Sequence, residues 1–429
     1  MNAPAVPFLT ELDARAEVKG SRDPLGIQSV WVRFGRHVVS NLTTVSNSLR
    51  DFTTLIVGYW LVEEASAKSG ALSEVAMFLR WEQLAAYARL QLNRDSVFRG
   101  IERTKKALGE SRRVTVSSAP QHQILSNQKV YGLWGLYSVP SAVSGLVFQD
   151  PPSLTAHAHE FIQQTYVPVL QKAGVKLNEL VEFISEDRSR VDVSDGNRFV
   201  RAAAAVLKGQ LFAAELPFYR YHLIEGGPDD TTKGLQKQLA ELLRGPEFVS
   251  QELSPRLLRE LAKSAAQRGW LHLESRLDRI RACESFLAPA SLIFVHMLGL
   301  DGQAPEYLAK RLKEQLGSTV KTVSVQEVES LREELGRDDA PTGDRWVGIA
   351  HAMAGGDYSL LIKLLVDQNK SVMAARGGAP WIEIQDRKFS VRFRDEMGAL
   401  PMKSDLSQLW RYPYFIPSLR LLNDRLGGA

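Results

Sequence analysis

Residues 113–140 read RVTVSSAPQHQILSNQKVYGLWGLYSVP, and this stretch decides the fold predicted for the first part of the chain. Its first five residues alternate and include β-branched side chains, which is typical of a short strand. Pro120 indicates a turn, and the apolar residues after it indicate a second strand or turn. Helical periodicity precedes the stretch at about 73–92 and 95–108, with Gly109 predicted to end the later helix. The order helix, helix, strand, turn, strand is that of a winged helix.

The rest of the chain shows mainly helical spacing of apolar residues. A first run covers about 25–64, where the polar cluster Asn41–Ser48 indicates either a break or a polar helix face. Further helices are predicted at about 153–184, 196–224, 232–244, 254–268, 270–286, 304–316 and 324–336. Near the C-terminus, helices at 344–353 and 357–374 precede a hairpin formed by 381–384 and 389–393. We therefore predict a mainly α, multi-domain helical protein with small β-hairpins, a winged-helix-like N-terminal module and a candidate C-terminal one.

Turn-rich segments predict the domain boundaries. A length of 429 residues suggests two to four domains. The clearest boundaries are Asp150–Pro152 and the segment 338–343. The predicted divisions are a loosely ordered N-terminus (1–24), a helical domain with the winged-helix-like region (25–150), a helical middle domain (151–337) and a helix–helix–hairpin module (344–429).

Composition narrows the class of protein. The chain is 44% hydrophobic and 24% charged, as is ordinary for globular proteins. A single cysteine, Cys283, cannot form an intramolecular disulfide, and its apolar neighbours predict a buried thiol. The N-terminal residues do not have the pattern of a signal peptide, and no long uncharged apolar run predicts a membrane span. We expect a cytoplasmic protein without a membrane partner.

Motifs for catalysis and cofactor binding are missing from the sequence. It contains no phosphate-binding loop, no dinucleotide fingerprint, no Gly-x-Ser-x-Gly and no His-Glu-x-x-His. The nearest histidines, His157 and His159, would point apart on a helix, so we predict no metal site. One alternative is a Mg²⁺-dependent nuclease, in which Glu383 on a predicted strand would act with Asp357 or Asp367. Because both aspartates fall in a predicted helix, we favour a non-catalytic protein without a cofactor.

Basic side chains are concentrated between residues 89 and 149. This window contains nine basic and three acidic residues, a net charge of +6, whereas the whole chain has only +4. No acidic residue occurs from Ser111 to Gln149. A local excess of this kind creates a positive potential that attracts phosphate. Arg99, Arg103 and Lys106 are spaced to share one helix face, and arginine can bind phosphate through two hydrogen bonds.

Polar side chains in the same window could add contacts to bases and backbone. Tyr131, Trp134 and Tyr137 recur every three residues, so they form either a stacking platform or, as we favour, a hydrophobic anchor. The C-terminal hairpin alternates Phe389, Val391 and Phe393 with cations. The predicted nucleic-acid contacts are Arg99, Arg103, Lys105, Lys106, Arg112, Arg113, Gln121, Gln123, Asn127, Gln128, Lys129, Arg392 and Arg394.

The run from Leu125 to Pro140 resembles segments of uncharacterised proteins encoded in bacterial anti-phage operons. The resemblance covers at most residues 75–150 and carries no catalytic residue, but it implies a DNA-interacting defence component. We therefore predict a non-catalytic subunit that binds nucleic acid, DNA in preference to RNA. The helical middle would contact other subunits, such as a helicase, an ATPase or a nuclease. A protein-interaction scaffold, in which the basic segment meets an acidic protein, is the remaining alternative.

Overall fold

A computed structural model of the chain describes residues 23–66, 72–337, 339–393 and 398–427. The fold is mainly helical, with 59% helix and 6% strand in small antiparallel sheets, which confirms the predicted class.

The helices are α1 (Ile27–Arg36), α2 (Leu49–Ser66), α3 (Glu74–Gln91), α4 (Ile101–Glu110), α5 (Gln128–Tyr131), α6 (Leu133–Val143), α7 (Ala156–Thr165), α8 (Val167–Lys172), α9 (Leu177–Ser185), α10 (Arg198–Val206), α11 (Glu215–Tyr219), α12 (Leu235–Leu243), α13 (Pro255–Gln267), α14 (Leu271–Met297), α15 (Pro305–Leu316), α16 (Val325–Glu329), α17 (Arg332–Leu335), α18 (Ala340–Gly355), α19 (Tyr358–Ala375) and α20 (Ile416–Arg425). The strands are β1 (Arg113–Ser117), β2 (Val147–Gln149), β3 (Pro152–Leu154), β4 (Arg188–Asp192), β5 (Ile382–Gln385) and β6 (Lys388–Val391).

The chain folds as two compact units, each built from two separate segments. Unit 1 contains Met1–Gly35 and Pro246–Tyr414, and unit 2 contains Arg36–Gly245 and Phe415–Ala429. The predicted boundary at Asp150–Pro152 lies inside unit 2, between β2 and β3. The second predicted boundary lies inside unit 1, where Pro341 belongs to the first turn of α18.

The centre of unit 2 is the pair α2 and α3, which are buried on nearly all sides. Gly58 of α2 permits this close packing, because a Cβ there would lie 2.6 Å from the Phe78 ring. Trp134 of α6 packs onto both helices, with ring centroids 5.3 Å from Tyr59 and 5.2 Å from Phe78. Tyr137 is fully buried. Two of the three spaced aromatics are thus hydrophobic anchors, although they anchor a helix and not a wing.

The segment predicted as a second strand or a turn, residues 123–126, is a turn, and the winged-helix order is the main difference from the prediction. Two helices, α5 and α6, follow that turn, and the partner of β1 is β4, some 75 residues further along the chain. Spacing of three between Trp134 and Tyr137 places both rings on one side of a helix, where they meet the α2–α3 core. Asn127 caps the start of α5, its side chain accepting from the Val130 amide at 3.3 Å. The structure therefore does not confirm a winged helix here.

Two helix boundaries also differ from the prediction. The run predicted over 25–64 is interrupted between α1 and α2, where the Arg36 guanidinium donates to the Ser40 and Leu42 carbonyls at 2.7 and 2.6 Å. The polar cluster in this run therefore marks a break. Helix α4 begins at Ile101 and not near residue 95, because Gly100 adopts a left-handed conformation with φ +84°. Gly109 lies inside α4 and does not end it.

Unit 1 contains the C-terminal helices and hairpin in the predicted order. Helices α18 and α19 pack together, and β5 pairs with β6 around Asp386 and Arg387, both with positive φ. Cys283 lies fully buried on α14, as predicted, and burial raises the pKa of its thiol.

The long helix α14 is, by length and composition alone, apolar enough to cross a membrane. The most apolar 18-residue stretch of this helix is 72% buried inside the protein, as in a helix of a protein core.

Candidate nucleic-acid interface

A surface groove of about 500 Å³ lies between α4, β1 and the loop 118–124 of unit 2. Three cationic side chains line it, Arg103, Lys106 and Arg113, together with a single acidic side chain, Glu110. All three cations are exposed to solvent. The lining therefore carries a net positive charge that attracts anions. We refer to this feature as the basic groove.

Each wall of the basic groove has a clear structural origin. Arg103 and Lys106 are three residues apart on α4 and so lie on one face of the helix. Arg113 begins β1 and is exposed. The next residue, Val114, is buried, so the two side chains lie on opposite faces of the strand. The loop supplies Gln121, His122 and Gln123 to the lining. Five predicted contact residues, Arg103, Lys106, Arg113, Gln121 and Gln123, therefore meet in this groove.

Two amide side chains, those of the buried Gln128 and the half-buried Gln123, hold the loop in place. Gln128 has no exposed surface, and its Nε2 donates to Glu82 Oε2 at 2.7 Å while its Oε1 accepts from the Ile124 amide at 3.2 Å. Gln123 accepts from the Gln128 amide at 2.9 Å and donates to the Ser118 carbonyl at 2.8 Å. Because of these bonds, Gln128 cannot contact a nucleic acid as predicted. The side-chain amide of Gln123 is already hydrogen-bonded within the loop. Both residues position the wall of the groove.

Glu82 is the buried acid beneath this loop. Its carboxylate accepts from Gln128 and from the Leu133 amide at 2.8 Å. Burial nevertheless raises its pKa to about 7. Hydrogen-bonded polar side chains therefore lie beneath the groove. The carboxyl group of Glu82 is among them and does not face the surface.

The other predicted residues of unit 2 lie around the basic groove or below it. Arg99 precedes α4, so it does not share the face of Arg103 and Lys106; it lines a small internal cavity beside Asp51 and Glu82. Lys105 is exposed and pairs with Glu102 at 3.2 Å. The remaining exposed predicted side chains of this unit are Arg112, Asn127 and Lys129.

Fewer basic side chains reach the surface of this region than the nine that the sequence contains between residues 89 and 149. Arg89, one of the nine basic residues, is 2% exposed and forms buried ion pairs with Asp51 and Asp95. Its charge is compensated inside the protein. The surface charge depends mainly on α4 and β1.

The predicted contacts of the C-terminal hairpin belong to unit 1. Arg392 is exposed and donates to Glu383 Oε2 at 2.7 Å. Arg394 lies outside the described residues. Glu383, the proposed nuclease carboxylate, is thus held by an arginine. Within the described ranges, no group of three His, Cys, Asp or Glu side chains could hold a metal ion.

Sequence reasoning missed two cations, Arg188 and Arg190 on β4. Arg190 pairs across the ribbon with Thr115, which lines the basic groove. Arg188 is two residues away on the same face. Both side chains are exposed. No local pattern links these residues to β1, because the pairing joins segments that are far apart in sequence.

Comparisons with protein-family models, with curated proteins and with solved structures found no match for this chain.

Proposed function

We propose that this protein is a non-catalytic nucleic-acid-binding subunit that holds DNA by its phosphates in the basic groove. The observation that carries the proposal is the convergence of Arg103, Lys106 and Arg113 on one exposed groove. Arg103 and Lys106 lie on α4 and Arg113 begins β1, and the short turn between the helix and the strand brings the three cations to one groove.

Physical chemistry supports phosphate as the ligand. Arginine and lysine pair with phosphate oxygens and release the counterions that surround a nucleic acid. Gln121 and His122 add donors at the rim. Glu110 opposes binding slightly, since a carboxylate repels phosphate. We therefore expect affinity that depends strongly on salt and little on base sequence.

The first test removes the charge of the groove. In the variant Arg103→Gln/Lys106→Gln/Arg113→Gln, we expect binding of a fluorescent DNA oligonucleotide to weaken by at least about tenfold at low salt, with a shallower salt dependence. Fluorescence anisotropy measured over a series of salt concentrations gives both quantities.

The matched control is Arg256→Gln/Arg259→Gln/Lys263→Gln, which neutralises three exposed cations on α13 of unit 1. This variant should bind DNA as the unchanged protein does. Equal losses in both triple variants would show that only net charge matters. Absence of DNA binding by the unchanged protein at low salt would refute the proposal, and binding of an acidic polypeptide instead would favour the scaffold alternative.

The finer parts of the proposal are a cytoplasmic adaptor role in a multi-protein complex and a place in anti-phage defence. They are supported by the resemblance of residues 125–140 alone, and co-purification with a helicase, ATPase or nuclease would test them. Winged-helix geometry in either module is not needed for contact through the groove.

A further inference from the structure

Beside the basic groove lies a two-stranded ribbon, β1 with β4, whose outer face is also cationic. Arg113 stands opposite Asp192, Thr115 opposite Arg190 and Ser117 opposite Arg188. Residues directly opposite in an antiparallel pair project from the same face. The alternate residues Val114, Val116 and Val191 are buried. Arg113, Arg188 and Arg190 are exposed to solvent, although Ser117, opposite Arg188, is buried.

The three arginines of this face form a row. Arg113 and Arg190 are diagonal neighbours across the strands, a relation that separates side chains by about 7–8 Å. Arg190 and Arg188 are two residues apart on β4, which corresponds to about 7 Å. These steps are close to the separation of successive phosphates along one extended nucleic-acid strand. Arg113 also lines the basic groove, so the row begins where the groove opens.

The acidic neighbours of the row define its ends. Asp192 stands opposite Arg113 at one end, and Glu186 and Asp187 precede Arg188 at the other. Glu186 accepts a hydrogen bond from Ser189, and its side chain is 56% exposed. The row thus offers three guanidinium groups in line, and it ends at this acidic turn.

We infer that one phosphodiester backbone leaves the groove across the β1–β4 ribbon, contacting Arg113, Arg190 and Arg188 in turn without regard to base sequence. This inference rests on the proposed function of the groove. Sequence independence follows from the side chains present, because guanidinium groups bind phosphates and the row contains no amide that could read a base edge. The ligand class is a nucleic-acid strand of any sequence.

The test uses the full chain and the variant Arg188→Gln/Arg190→Gln. If each arginine neutralises one phosphate, the slope of log affinity against log salt should become shallower by about 1.4–1.8, and affinity at low salt should fall about tenfold. The control variant, Lys172→Gln/Lys176→Gln, neutralises two exposed lysines just before α9, whose far end leads to β4. Its slope should be unchanged. Two single-stranded DNA probes of equal length and unrelated sequence should bind within about twofold of each other.

An unchanged slope in Arg188→Gln/Arg190→Gln, while the groove triple variant loses binding, would overturn the inference and leave the proposed function standing. A strong preference for one probe sequence would also overturn it. If neither the groove variant nor the ribbon variant alters binding, the proposed function itself fails.

Discussion

At the scale of single residues, Glu284 shows how a buried charge can depend on its neighbours. It is 1% exposed on α14 and accepts hydrogen bonds from the Tyr412 amide at 3.2 Å and the Tyr414 hydroxyl at 2.7 Å. The Arg411 amide also donates to it. These donors favour the charged form, yet burial outweighs them and raises the pKa of Glu284 to about 7. The carboxyl therefore binds a proton more readily in the folded protein than in the unfolded chain.

We expect Glu284→Gln to make stability less dependent on pH. A raised pKa contributes stability that is fully present below the unfolded pKa and is lost as pH rises through about 7, with a slope of at most about 1.4 kcal/mol per pH unit. The amide cannot ionise, and its oxygen still accepts from the backbone. Denaturant unfolding from about pH 5 to pH 8 should thus show a smaller decline in the variant. The exposed control Glu314→Gln should follow the unchanged protein, and an equal decline in Glu284→Gln would contradict the assignment.

At the scale of elements, two glycines of the α4 region should respond oppositely to alanine. Gly100 has φ +84°, and a Cβ there would lie 2.9 Å from the Ile124 carbonyl oxygen in the loop of the basic groove. Gly100→Ala should cost about 1–2 kcal/mol from the backbone alone and disturb the loop. Gly109 lies within α4 and has open space around it, so Gly109→Ala should stabilise the helix by about 0.5–1 kcal/mol. Hydrogen exchange of α4 peptides should therefore quicken in the first variant and slow in the second; the same direction in both would argue against these helix bounds.

Elements with a local signal could be predicted, and elements with a distant partner could not. Periodicity located α3 and the C-terminal helices, and alternation located β1 and the β5–β6 hairpin. Residues 123–126, predicted as a second strand or a turn, form a turn, and the winged-helix order was not confirmed because Trp134 and Tyr137 after it lie on a helix whose side is buried by the core. The same limit applies to the site. Arg103, Lys106 and Arg113 follow from local charge, whereas Arg190 becomes a neighbour only through the β1–β4 pairing.

At the scale of the whole molecule, unit 2 is completed by a helix near the C-terminus. Helix α20 belongs to unit 2, the unit of the basic groove, although it follows unit 1 in sequence. Its Leu419 and Leu422 are fully buried, and Asn423 donates to the Ala240 carbonyl at 2.7 Å at the end of α12. The last helix thus completes a unit whose other residues were synthesised much earlier.

Adjacent leucines on α20 allow this dependence to be tested. Leu422 is 0% exposed, whereas Leu421 is 41% exposed. Leu422→Ala should destabilise unit 2 by about 2–5 kcal/mol through lost burial and the cavity left behind. Leu421→Ala removes the same atoms from the surface and should change stability by less than about 0.5 kcal/mol. Calorimetry should show a lowered transition only in Leu422→Ala, with faster hydrogen exchange in α12. If the two variants unfold alike, α20 does not stabilise unit 2, because of the two leucines only Leu422 is buried.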